Sequence, residues 1–433
     1  MTSATSTVNA DENQSSTELG LLVGRQRAER LAGLVVVGWR PSHGYRGLAR
    51  GYSQRMSISI TPPALRAAFD AAEPLTIGVE EEVMLLDGET LQLAPRAGEL
   101  LAALAGDPRF KLELPAAHIE LMTPAEASVG DVIAHLTAAR RDLLCAAEAL
   151  GLVVIGAGAH PFSAPIGTSN NGRRYDAMRN RYGLVADVQQ VCGLHVHVAV
   201  GGADATIAVH DMLRAHLPDL AALAAAAPFY AGLDSGLASV RPQIAGLLPR
   251  QGVPPALGDV DGFARELAWG VRAGAMPDVR RWWWELRPHP SFGTLEVRVC
   301  DAQATTAETA ALAATIHALV AALRERYCGG ERAAPVPAWR IDENRWSACR
   351  DGVAGMMADP LTGDSEATRE RLRRLLAGLV PHADRLGCAP ALLDAGRRLA
   401  ADGAAGVHRE LAARHGLPGL VMALSARFAA AGE

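Results

Sequence analysis

Two hydrophobic rhythms alternate along the chain, and their order predicts the architecture. Apolar residues favour every second position in TIGVEEEVMLLD (76–87), in the extended run FKLELPAAHIELMTP (110–124) and in VCGLHVHVAVGG (191–202), while LVVIGAG (152–158) is a short continuous apolar run. These read as strands. Between them, residues 96–105, 128–151 and 171–188 repeat at helical spacing, with Gly151 as a stop, and 203–227 reads as an Ala/Leu-rich helix. WWWELRPHP and GTLEVRVCD flank SFG as a predicted hairpin, and from Thr305 onward the pattern is helical, with interruptions near 329–338 and 359–365. Strands, interleaved helices and then a helical tail predict an α+β fold with a mostly antiparallel sheet. The Gly/Pro-punctuated stretch 228–255 is too long for an idle connection and is expected to be functional.

The first 55 residues lack sustained periodicity and are expected to be a disordered extension, with Met56 a candidate start. Residues 56–433 are expected to form a single catalytic domain whose part from 305 to 433 is mainly helical. With 433 residues, 49% hydrophobic and 21% charged, the chain can bury a large core. A net charge of −5 without basic runs argues against nucleic acid as a partner. LAGLVVVGW (31–39) falls short of the roughly 18 residues of a membrane span, so no membrane partner is expected. Lys111 is the only lysine among 42 basic residues, and GxxxxGK[ST] is absent. Nucleotide phosphates would have to be held by metal ions, arginines and backbone amides. Six scattered cysteines with no CxxC pair suggest reduced thiols and a cytoplasmic protein.

Three of the strands carry ionisable residues two apart. Glu80 and Glu82 share one side of a strand, with Glu81 on the other; His195 and His197 share a side, as do Glu296 and Arg298. Each pair alone has an ordinary explanation, as a solvated face, hydrogen-bonded histidines or a salt bridge. Together, in strands of one sheet, they point to a shared polar cavity. Unpaired buried carboxylates cost several kcal/mol, roughly, and opposite charge must be nearby. Divalent metal would supply it, and oxygen-rich donors suit Mg2+ or Mn2+ better than zinc. Glu120, in HIELMTP, is a further candidate, and Glu113 a weaker one.

GVEEE, IELMTP, GLHVHV, PFYAGLDSGLASVR, RPHPSFGTLEVRVCD and ENRWSACRDG occur in this order. The set resembles the carboxylate-amine ligase family called glutamate–cysteine ligase type 2, over about Leu75 to at least Leu361. The resemblance implies a glutamine synthetase-like antiparallel sheet forming an active-site funnel. It implies an ATP-dependent ligase that makes an amide bond through an acyl phosphate, with weak glutamate–cysteine ligase activity in its range. Matched residue by residue, it implies Glu80, Glu82, Glu120, His195 and Glu296 as metal ligands, Arg298 and Glu82 as catalytic groups, and His197 on the ATP or substrate side. Glu113 falls where related ligases place another acid.

Arg173, Arg174 and Arg179 in NGRRYDAMRNRYG, Arg241 in LASVRPQ and Arg350 beside Asn344 and Arg345 are candidate clamps for carboxylate or phosphate. Trp282–Trp284 read as packing rather than a nucleotide stack. Other readings stay open: a guanidino-kinase-like phosphotransferase, a metal-dependent hydrolase using His195 and His197, and a non-catalytic nucleotide sensor. The expected partners are a small carboxylate and an amine, with a homodimer through the Ala/Leu-rich helices.

Overall fold

The computed structural model describes residues 60–276, 281–334, 336–400 and 403–430. The chain divides into Met1–Gly51 and Tyr52–Glu433, and all that follows concerns the second unit. The extension expected over 1–55 and the candidate start at Met56 lie outside the described residues.

β1 (Ile77–Asp87) is the hub of a seven-stranded sheet. β2 (Phe110–Leu112), β3 (His118–Met122), β4 (Leu152–Ile155) and β5 (Gly193–Val198) follow in the chain. The two-residue strands β6 (Phe229–Tyr230) and β7 (Leu233–Asp234) form a small separate pair, and β8 (Leu286–His289) and β9 (Thr294–Asp301) return to the main sheet. The order is β2-β3-β1-β5-β9-β8, with β4 also on β1 and every pairing antiparallel. Met84 pairs with both His118 and Ile155, and Glu80 with both Met122 and His195, so β3 lies along one edge of β1 while β5 and β4 share the other.

One face of this sheet is the main core. Val79, Val83, Leu85, Ile119, Leu121, Leu194, Val196, Val198, Leu295 and Val297 pack there against the helices Val129–Ala149 and Thr306–Cys328. The first helix is capped by Ser128, whose hydroxyl accepts from Asp131 N at 3.1 Å. In the second, Thr305 and Glu308 form a reciprocal capping box. By length and composition Thr306–Cys328 could cross a membrane, yet it is buried in the protein as the central helix behind the sheet.

The predicted elements need three refinements. The run expected to be one helix over 203–227 is Ala203–Leu213, a 3-10 turn and Leu217–Ala224, with Pro218 restarting the helix where a preceding carbonyl has no proline N–H to bond. Residues 171–188 break at Gly183, whose φ of +54° takes the left-handed turn that glycine allows. The interruption near 359–365 is the tip of a hairpin between β10 (Met356–Ala358) and β11 (Ser365–Ala367). The rest of the tail is helical as expected: Ala338–Asp351, Thr368–Arg385, Ala389–Ala400 and, within Gly403–Ala429, two helices that meet at a kink at Gly416.

Candidate active site

Strand register gathers the ionisable positions on the face opposite the core. Lys111, Glu120 and Glu82 are neighbours across β2, β3 and β1; Glu80 faces His195 across β1 and β5; and His197, Glu296 and Arg287 align across β5, β9 and β8. A side-chain period of two keeps these rows on one side. The register shifts between Leu194 and Val196, where β9 carries one extra residue, and Arg298 Nη1 then lies 3.4 Å from His195 Nδ1.

Glu81 shows the alternation from the other side. It is fully buried, and Arg140 grips both its oxygens, Nη2 to Oε1 at 2.5 Å and Nε to Oε2 at 2.8 Å. Thr309 Oγ1 adds a bond at 2.9 Å. This is a structural ion pair beneath the central helix, separated from the site by the thickness of the sheet.

Among the described residues, three groups of ligand atoms lie close enough together to hold an ion: Glu80 with Glu120 and His195, Glu80 with His197 and Glu296, and Glu82 with Glu113 and Glu120. His195 Nδ1 is 3.4 Å from Glu80 Oε2 and 3.7 Å from Glu120 Oε1. His197 Nδ1 hydrogen-bonds with Thr294 Oγ1 at 2.9 Å, which fixes the ring. Its Nε2 is buried without a hydrogen-bond partner, 3.7 Å from Glu80 Oε1 and 3.8 Å from Glu296 Oε1. A nitrogen aimed between two carboxylates, too far to bond either, fits a cation-binding position.

Charge supports the same conclusion. Among the described residues, five carboxylates, Glu80, Glu82, Glu113, Glu120 and Glu296, meet three permanently charged side chains in ion-pair contact, two of them at Glu296. Arg287 Nε donates to Glu296 Oε2 at 2.5 Å and Arg298 pairs with Oε1. Burial would raise the Glu296 pKa, but the two guanidiniums hold it well below the carboxylate range. Burial likewise works against Glu80, and the charge of Lys111 with the two neighbouring histidines overcomes it. Glu82 is different: burial and the neighbouring charge of Glu113 push it up to about 7, against Arg241 and the Gly193 N–H that donates to Oε2 at 2.5 Å. Glu120 is raised too, by burial and by Glu80, Glu113 and Glu82, despite Lys111. Burial and Arg298 push His195 down to about 3, leaving a neutral imidazole able to ligate. An acidic cluster short of cations, with oxygen donors in the majority, fits hard divalent ions.

Every predicted metal ligand is therefore in the cluster, with Glu113, His197 and Arg298 beside them. Among the described residues, none of the candidate arginine clamps is in ion-pair contact with these carboxylates. Arg241 is buried, but it donates to the carbonyls of Val299 at 3.1 Å and Arg298 at 3.0 Å, so it braces the β9 backbone. Arg350 is exposed beside Asp351 and makes no hydrogen bond or ion pair with the cluster, because its helix turns Asn344, Arg345 and Cys349 inward instead. Arg345 pairs with Glu285 and Asn344 bonds the backbone of Ala358. Arg173 and Arg174 are exposed at the start of the helix Arg173–Tyr182, and Arg179 pairs with Asp176. That helix reaches the sheet through Tyr175, whose hydroxyl donates to Leu112 O at 2.7 Å. Trp282 packs edge-on against Phe263 in a separate core cluster, as expected.

Sequence reasoning missed Arg287 and left Lys111 without a role in the site. Arg287 and His289 alternate within LRPH, with Arg287 opposite Glu296 and His289 opposite Thr294, but the four-residue strand is too short for the alternation to stand out in the sequence.

The chain matches the sequence signature of "Glutamate-cysteine ligase family 2 (GCS2)" over residues 76–421. It is 39% identical over 328 residues to the "Putative glutamate--cysteine ligase 2-3" of Rubrobacter xylanophilus, covering 75% of this chain and 88% of the relative. A similarly named protein of Gloeobacter violaceus is 33% identical over 339 residues, covering 76% and 91%. Among solved structures, the glutamate–cysteine ligase of Francisella tularensis in complex with AMP superposes with a TM-score of 0.62 at 14% identity, over 82% of this chain and 88% of that one. A bifunctional glutathione synthetase of Pasteurella multocida gives 0.58 at 13% identity, over 85% and 53%. The antiparallel-sheet fold is thus shared with these ligases, and the chain belongs to glutamate–cysteine ligase family 2, a family of carboxylate-amine ligases.

Proposed function

We propose that this sheet face binds ATP with Mg2+ or Mn2+ and joins a small carboxylic acid to an amine, with glutamate and cysteine as the candidate pair. The observation that carries the reading is the convergence of Glu80, Glu82, Glu113, Glu120, His195, His197 and Glu296 into three overlapping cation-sized groups. Divalent cations held there would neutralise the triphosphate and polarise its γ-phosphoryl group.

The residues divide the remaining work. Glu296, kept ionised by Arg287 and Arg298, gives His197 and Glu80 a third ligand. Arg298 has its guanidinium between Glu296 and His195, and its charge stabilises the phosphoryl group in transfer. An oxygen of the acid attacks the γ-phosphorus, the bond to ADP breaks, and an acyl phosphate forms. The amine nitrogen then attacks the acyl carbon; the C–N bond forms, the C–O bond to phosphate breaks, and the amine gives up a proton. Glu82, pushed up to about 7 by burial and Glu113 in the metal-free site, would be ionised by a bound cation and serve as one of its ligands. The six cysteines are all free, which supports a reducing, cytoplasmic setting, and we take 56–433 as one catalytic domain.

An ADP-release screen of amino acids crossed with amines, with Mg2+ and Mn2+ compared, tests this. Release that needs acid and amine together supports the ligase. A stable phosphorylated product from one acceptor alone would make the protein a phosphotransferase, and ATP-independent cleavage would make it a hydrolase.

A further inference from the structure

The composition and the site meet at one residue. The chain uses arginine at every basic position except 111, and that lysine sits in the acidic cluster. Its ammonium pairs with Glu120 Oε2 and lies 3.9 Å from Glu80 Oε2. Among the described residues it is the only permanently charged group within ion-pairing distance of Glu80, Glu82, Glu113 or Glu120. β2 is only three residues long, and its pairing with β3 places Lys111 directly opposite Glu120.

Arginine and lysine differ here in a way that bears on metal binding. A guanidinium is a planar fork that grips carboxylates with two parallel bonds, as Arg140 grips Glu81 behind the sheet. An ammonium is a compact point charge on a flexible stem, closer to a metal ion in shape and easier to displace. Glu80 Oε2 is shared: it faces the Lys111 ammonium and, at 3.4 Å, the His195 nitrogen that belongs with Glu80 and Glu120 in one cation group.

We propose that Lys111 is a place-holding cation: it neutralises Glu120 and Glu80 while the site is empty of metal, and a divalent ion entering between Glu80, Glu120 and His195 displaces its ammonium. This rests on the metal–nucleotide reading above. Lys111 is thus a positioning residue that keeps the carboxylates together yet yields to the ion. Arginine in its place would hold the pair shut, and an apolar side chain would leave the carboxylates to repel one another until metal arrived.

The test is Mn2+ binding to the full chain, followed by calorimetry and by the electron paramagnetic resonance of free Mn2+, together with unfolding in EDTA. In K111M, metal no longer competes with an ammonium, and Mn2+ should bind about two- to fivefold tighter, the range of one partly wet ion pair. Its unfolding midpoint in EDTA should fall, and the deficit should close in saturating Mn2+. K111R should keep the EDTA midpoint and bind Mn2+ several-fold more weakly. Unchanged or weaker Mn2+ binding by K111M overturns the proposal, as does a stability deficit that metal leaves in place. If K111M does not fold, K111R decides: affinity equal to the parent overturns it. Absence of Mn2+ binding in the parent protein would instead overturn the metal–nucleotide reading itself, an outcome distinct from equal binding by parent and variant.

Discussion

Glu81 and Glu82 are adjacent, but the alternation of β1 sends them to opposite faces, so the same substitution should have opposite effects. Glu81→Gln leaves the Arg140 guanidinium, which is fully buried, facing an amide. Breaking such a pair costs about 3–5 kcal/mol, a large share of the roughly 5–15 kcal/mol that keeps a domain folded. Glu82→Gln removes a carboxylate that burial already disfavours. Its pKa is about 7 in the folded protein against an ordinary 4.5. The penalty for ionisation is therefore absent below pH 4.5, grows between 4.5 and 7 and is complete above 7. At 1.36 kcal/mol per unit it reaches about 3 kcal/mol. In EDTA at pH 8, E82Q should be more stable than the parent by up to that amount, and the gain should shrink toward zero at pH 5. The same variant should lose Mg2+-supported ATP binding, whereas E81Q, where folded, should retain it. Urea unfolding in EDTA at pH 5 and pH 8, with calorimetric titration of MgATP, measures both effects. E82Q less stable than the parent at pH 8, or binding MgATP normally, would refute the assignment of the two faces.

Glu296→Gln strips the shared partner from Arg287 and Arg298, and turnover at saturating ATP should fall about 10²- to 10³-fold in a steady-state assay of ADP release. At Gly193 a methyl group would meet Arg241 Nη2 at 2.2 Å, so Gly193→Ala should push Arg241 off the Arg298 and Val299 carbonyls and cost about 1–3 kcal/mol by urea unfolding. Thr305→Ala removes one side of the capping box and should cost about 1 kcal/mol while leaving kcat unchanged, since the helix lies behind the sheet.

The site was readable in the sequence wherever it follows from a strand's period of two. Glu80/Glu82, His195/His197 and Glu296/Arg298 each lie in a strand of six residues or more flanked by valine or leucine, and the alternation marked them. Arg287/His289 obeys the same rule in a four-residue strand containing Pro288, too short to show periodicity. The role of Lys111 comes from the register of β2 on β3, a long-range pairing that no local pattern encodes. The arginines were harder for another reason: a guanidinium reaches far, and its partner depends on the tertiary path. Arg241 braces a backbone nearly sixty residues away, and Arg350 faces solvent because of how its helix is rotated. The helix breaks at Gly183 and Pro218 were legible as residues but were overridden by the apolar pattern around them.

The central claim is that this cluster transfers a phosphoryl group onto a carboxylate before an amide forms. The direct measurement is oxygen transfer: the acid that supports ADP release is supplied with 18O in its carboxylate, together with ATP, Mg2+ and the amine, and the inorganic phosphate is analysed by mass spectrometry. The account predicts one 18O atom in each phosphate released along with the amide. Phosphate free of label, with amide still formed, would contradict it.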